Sequence, residues 1–225
     1  MITTAPELIY MLKVNIGIAL FYAFYKLFCC RDTFFQWRRI ALLSFLALSF
    51  LYPLMDMQAW VKEQPAINEL ADYYTLMMLT ETNTSTATVV TTPVAIPTPG
   101  LLDIIKFIYW IGILLLSARF MIQLSSIFHL VLKSKSINVD QISIRSLSEP
   151  ANPFSFWQWI FIYLPELKED EKQEILTHEQ THVRQWHSID VIISEIVNII
   201  CWMNPFAWLM KTEIRLNLEY LADHK

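Results

Sequence analysis

The sequence predicts a mostly α-helical integral membrane protein: three transmembrane helices, then a small α+β domain that ends in a helical hairpin. Three observations predict it. Of 225 residues 55% are hydrophobic, above the roughly 45–50% of ordinary soluble domains, and the excess sits in long blocks. After Lys135 the blocks give way to alternating and helix-periodic patterns. A last apolar stretch near the C-terminus is interrupted by polar residues and by Asn204-Pro205.

Three blocks reach the roughly 20 residues needed to cross a bilayer: about 8–30, 40–60 and 104–132. "MITTAPE" has no basic n-region and no cleavage site follows the first apolar run, so that block reads as a retained helix. Arg31, Arg38 and Arg39 lie in the connection 31–39, and Lys133 and Lys135 follow the third block. The positive-inside rule places both flanks in the cytoplasm, and the N-terminus and loop 61–100 outside. That loop carries Lys62, Glu63, Glu69, Asp72 and Glu81, then "TETNTSTATVVTTPVAIPTPG", whose composition suits a solvated linker. Arg119, in mid-span, reads as packing on the cytoplasmic domain or reaching for headgroups.

The balance of charge is −4, which gives no basic surface and excludes a nucleic-acid partner. Cys29, Cys30 and Cys201 have no ligand spacing and read as apolar fillers.

Residues 136–225 form the second domain, after a membrane domain of 1–135. "INVDQISIRSLSEPANPFSFWQWIFIYLPEL" alternates around a turn-rich "SEPANP", as two short strands would. "LKEDEKQEILTHEQTHVRQWHS" is helical in pattern, with Glu169, Asp170 and Glu171 where the helix dipole favours acids.

That helix carries "THEQTH". His178 and His182 stand one turn apart on one face, able to share a metal ion, and Glu179 lies beside them as a base. A zinc peptidase of the H-E-x-x-H type needs this pair, a third protein ligand and an open position for water. "EYLADHK" offers Glu219 as third ligand, and Asp223, four residues on, as a carboxylate to hold the outer nitrogen of a ligating histidine. A helix over Ile189–Met203 climbs roughly 21 Å and one over Pro205–Glu219 descends as far. A hairpin broken at Asn204-Pro205 therefore returns Glu219 to the histidines, where a straight span would strand it across the membrane. His187 and His224 are left outside the ligand set, and Arg184 and Arg215 are candidates to pair with carboxylates.

Along nearly its whole length the chain resembles the BlaR/MecR-type family of membrane zinc peptidases, the antibiotic-sensor signal transducers. The likeness is carried by "LFYAFYKLFCCRDTFFQWRRIALL", "RFMIQL", "NPFSFWQWIFI", "LTHEQTHVRQWHSIDV", "NPFAWL" and "EYLADHK". It implies a zincin-like catalytic domain in a bacterial cytoplasmic membrane, with Zn2+ on His178, His182 and Glu219 and Glu179 as base. It also implies cleavage of a regulator, such as a transcriptional repressor, or of the protein itself after an external signal. Family members commonly continue into a further span and sensor region, so a fragment or truncated form is expected here. A penicillin-binding sensor with its serine nucleophile is nowhere in these residues.

The leading reading is a membrane zinc endopeptidase acting on a protein segment, which could add as a strand to "FSFWQWIFI". Its rivals are a quality-control protease and a non-proteolytic receptor whose zinc braces the fold. The open fourth coordination position favours an enzyme.

Overall fold

The computed structural model describes residues 6–29, 33–55, 100–139, 142–147, 149–163 and 168–223. Helix α1 (Pro6–Phe24) runs into a π turn (Tyr25–Cys29). Helix α2 (Phe35–Leu51) ends in a 3-10 turn (Tyr52–Leu54), and α3 covers Leu101–Lys133. Among the described residues three segments are long and apolar enough to cross a membrane: Glu7–Cys29, Phe35–Leu54 and Leu101–Lys133. The second starts at Phe35 instead of the expected 40. "FQWRR" winds as helix because the protein satisfies its charge: Arg38, 8% exposed, donates to the Tyr25 hydroxyl at 2.6 Å. Residues 56–60 of that expected span, and the loop 61–99, lie outside the described residues.

Among the described residues the polypeptide then forms four strands, where two were expected: β1 (Lys135–Val139), β2 (Ile142–Ser146), β3 (Phe154–Phe156) and β4 (Trp159–Ile162). The sheet order is β1-β2-β4-β3, with β2 and β4 parallel and the outer pairs antiparallel. "SEPANP" is not a hairpin turn. Residues 149–153 lead into the edge strand beyond the β4 position, and the two-residue turn Trp157-Gln158 brings the chain back inside. Ile160, Phe161 and Ile162 are fully buried, as a central strand requires. Arg145 fastens the sheet to α3 by donating to the Val131 carbonyl in its last turn, at 2.9 Å.

Three helices follow: α4 (Glu169–Arg184), α5 (His187–Ile200) and α6 (Pro205–Asp223). The last two make the expected hairpin. At its tip the Asn204 side chain accepts from the Phe206 amide at 3.0 Å, capping α6. The same side chain donates to the Asn15 carbonyl of α1 at 3.0 Å. Tyr109 of α3 donates to the Ile200 carbonyl at 2.7 Å. Asn15 and Tyr109 both lie inside candidate spans, so the hairpin runs alongside the membrane helices. Its α6 shares a core with α1 and α2, built on Tyr25, Leu42, Leu46, Met210, Ile214 and Leu218.

A candidate metal centre

Helix α4 buries Leu176 and Val183 against Ile160 of β4, and this packing sets its rotation. His178 and His182 then lie on one face, next to the last turns of α6. His178 Nε2 and His182 Nε2 are 3.2 Å apart. Glu219 Oε2 lies 3.5 Å from the first and 3.7 Å from the second. The three residues expected as ligands are the group whose ligand atoms converge, all within 4.8 Å of one another.

Each histidine is held from behind. Asp223 Oδ1 stands 3.1 Å from His178 Nδ1, where the sequence placed a supporting carboxylate. His182 Nδ1 lies 2.7 Å from His187 Nδ1, and His187 Nε2 lies 3.2 Å from Gln185 Oε1. Gln36 Nε2 of α2 donates to that same oxygen at 3.2 Å. Spacing on a helical face did not identify His187. A residue five after His182 turns about 140° away from it on a continuous helix. The expected single helix ends at Arg184 instead, and the corner at Trp186 (φ 57°) swings His187 back. Trp157, at the same φ, stacks edge-on against Trp186 with ring centroids 4.9 Å apart. Its amide donates to Ser188 Oγ at 2.8 Å. These contacts offset the left-handed backbone of two bulky residues.

The donor set fits a cation. Asp223 can only accept, so His178 Nδ1 carries a proton; His182 Nδ1 likewise donates to His187 when His187 Nε2 donates to Gln185. Both Nε2 atoms of neutral rings then present lone pairs to one point, together with a carboxylate oxygen. Three acceptors converge with no hydrogen between them. Ligands about 2.0–2.1 Å from a tetrahedral ion stand roughly 3.3–3.4 Å apart, close to the spacing here. Burial holds the His182 pKa below its usual value against the opposing pull of Glu219 and Glu179, which keeps the ring in its ligating form.

Glu179 is 8% exposed and lines, with Pro153, Glu174, Ile175 and His178, a cleft of about 280 Å³. The cleft lies beside the start of β3. Arg215 pairs with Glu195 at 2.9 Å, as expected. Arg184 has no carboxylate partner among the described residues, and His224 lies outside them. Arg119 faces a polar cavity between α3, α5 and α6.

Residues 16–225 match the peptidase family described as "BlaR1 peptidase M56". The chain belongs to the M56 peptidase family. No curated protein matches it. The M56 match takes in the later part of the first candidate span, the other two spans, the sheet and the converging side chains. The protein is thus a peptidase of a metallopeptidase family, one that acts on protein or peptide substrates and carries helices suited to a lipid bilayer.

Proposed function

We propose that this M56 peptidase is a zinc-dependent endopeptidase of a signal-transduction system in a bacterial cytoplasmic membrane. It cleaves a protein regulator, such as a transcriptional repressor, or itself. The observation that carries the reading is the convergence of His178, His182 and Glu219 within 3.2–3.7 Å. These three would hold Zn2+, with Asp223 and His187 orienting the rings. When bound there, zinc supplies Lewis acidity and lowers the pKa of a water.

Glu179 accepts the proton of the attacking water and returns it to the leaving amine. An extended substrate segment runs along β3, which pairs with β4 on one side only and borders the Glu179 cleft. Main-chain bonds to that edge supply affinity, and side-chain pockets supply choice. Sidedness follows from the cations. Arg39 of α2 donates to the Gln185 carbonyl at 2.8 Å, Lys133 ends α3 and Lys135 opens β1, so the basic residues and the candidate metal centre share one face. By the positive-inside rule that face is cytoplasmic. Three protein ligands leave a position open, which favours a catalyst over a zinc-braced receptor.

The test is Glu179→Gln. The variant should keep its zinc and fold and lose cleavage of a co-expressed regulator, or of itself, by about 10²–10⁴-fold. Cleavage at the wild-type rate would remove Glu179 as base and bring the receptor reading forward.

A further inference from the structure

A cavity of about 140 Å³ opens between α3, α5 and α6, and none of the converging metal-centre residues lines it. Arg119 and Gln123 of α3, Glu195 and Asn198 of α5, and Lys211 and Arg215 of α6 form its polar wall. Three cations thus face one carboxylate, in a chain whose overall charge is −4. Glu195 meets both Lys211, at 2.7 Å, and Arg215, at 2.9 Å. Arg119 has no carboxylate partner among the described residues. Two positive charges are left over. Asn198 adds an independent demand: it is only 2% exposed, and its Oδ1 has no hydrogen-bond partner among the described residues. The cavity therefore lacks an anion and, beside it, a donor.

Its depth is set by α3. From Leu101 to Arg119 the helix rises about 27 Å, against a hydrocarbon thickness of about 30 Å. About 21 Å of helix separate Arg119 from Lys133, so Arg119 lies within the span, in the half nearer the metal centre. Uncompensated cations at that depth are costly unless they meet water or an anion. We propose that this cavity binds the headgroup of an anionic phospholipid of the phosphoglycerol class, drawn from the leaflet on the metal-centre side. The phosphodiester oxygens accept from Arg119, Lys211 and Arg215, and a glycerol hydroxyl donates to Asn198 Oδ1. The volume is below the roughly 300–1,000 Å³ of drug-sized sites, which suits a headgroup alone. The acyl chains would lie on exposed α3 residues such as Leu115 and Ile122. A free phosphate carries both an anionic oxygen and a P–OH, so the test must separate the two sources.

The experiment titrates lipids into the full, zinc-loaded chain in neutral detergent and reads bound lipid by native mass spectrometry. Phosphatidylglycerol should bind about tenfold or more tighter than phosphatidylcholine, the scale of one charge-assisted hydrogen bond. Phosphatidylmethanol, which keeps the charge and lacks the hydroxyl, should bind less tightly than phosphatidylglycerol. Arg119→Gln and Lys211→Gln should each erase most of the preference, and Lys211→Arg should restore it. Arg119→Gln breaks no ion pair among the described residues, so it carries the test if Lys211→Gln does not fold. Equal retention of phosphatidylglycerol and phosphatidylcholine overturns the proposal, as does an unchanged preference in Arg119→Gln. Displacement of phosphatidylglycerol by inorganic phosphate at equal concentration overturns the lipid as the source.

Discussion

His187 Nδ1 lies 2.7 Å from His182 Nδ1, and His187 is itself 2% exposed. A buried imidazole that accepts from the outer nitrogen of a proposed ligand fixes both its tautomer and its ring plane. His187→Ala should weaken zinc retention against a competing chelator by about 10–100-fold, the usual cost of losing such a partner. His187→Asn places an acceptor where Nδ1 stood and should recover part of the loss. Equal zinc affinity in wild type and His187→Ala would reduce the contact to packing.

Glu219 and Asp223 share one face of α6 and should differ in what they do. Glu219→Ala removes one of three proposed ligands, so the purified protein should fall well below one zinc per chain. Asp223→Asn still reaches His178 Nδ1 through its amide oxygen, so its stoichiometry should stay near one while affinity drops. Metal analysis of the two variants side by side decides this. Full zinc content in Glu219→Ala would end its assignment as third ligand.

The convergence of the candidate ligands was legible in the sequence because each part of it is a one-turn spacing. His178 and His182, and Glu219 and Asp223, are each four apart, and helix rise across Ile189–Glu219 brings the two pairs level. What depended on tertiary contacts was not legible. Arg38 looked like a flanking charge, and only the Tyr25 hydroxyl and Glu213, 3.9 Å away across the bundle, make it an interior residue of the α2 helix. The insertion of β4 between β2 and β3 is a long-range pairing that alternation cannot encode. His187 is hidden by the left-handed corner at Trp186, a conformation that the residue type argues against.

Sidedness is open to direct measurement. Gly100 and Ser146 lie beyond opposite ends of α3, and the positive-inside rule predicts that Ser146 is inside. Reporter fusions should be active outside the membrane at Gly100 and only inside it at Ser146. The same compartment at both sites would deny that α3 spans, and the reverse pattern would place the metal centre outside.

Trp202, at the hairpin tip, rests on the backbone of α3 at Gly112. A Cβ added there would meet the Trp202 indole at 2.3 Å, and the indole Nε1 donates to the Tyr109 carbonyl at 3.3 Å, so the ring has little room to retreat. Gly112→Val should therefore destabilise the protein by about 1–3 kcal/mol, the usual cost of overpacking. Thermal unfolding in detergent measures it, and Trp202→Ala in the same chain should relieve most of the loss by removing the ring that the new side chain strikes. The metal centre should be spared in the folded fraction. The far half of α6 is held independently of the tip, by Asn217 donating to the Phe35 carbonyl at 3.0 Å and by Lys26 on Glu213 at 2.6 Å. Gly112→Val should accordingly lower the unfolding temperature while leaving zinc affinity near wild type. A parallel fall in zinc affinity would mean that the hairpin moves as one rigid lever, with the seat of Trp202 setting the position of Glu219.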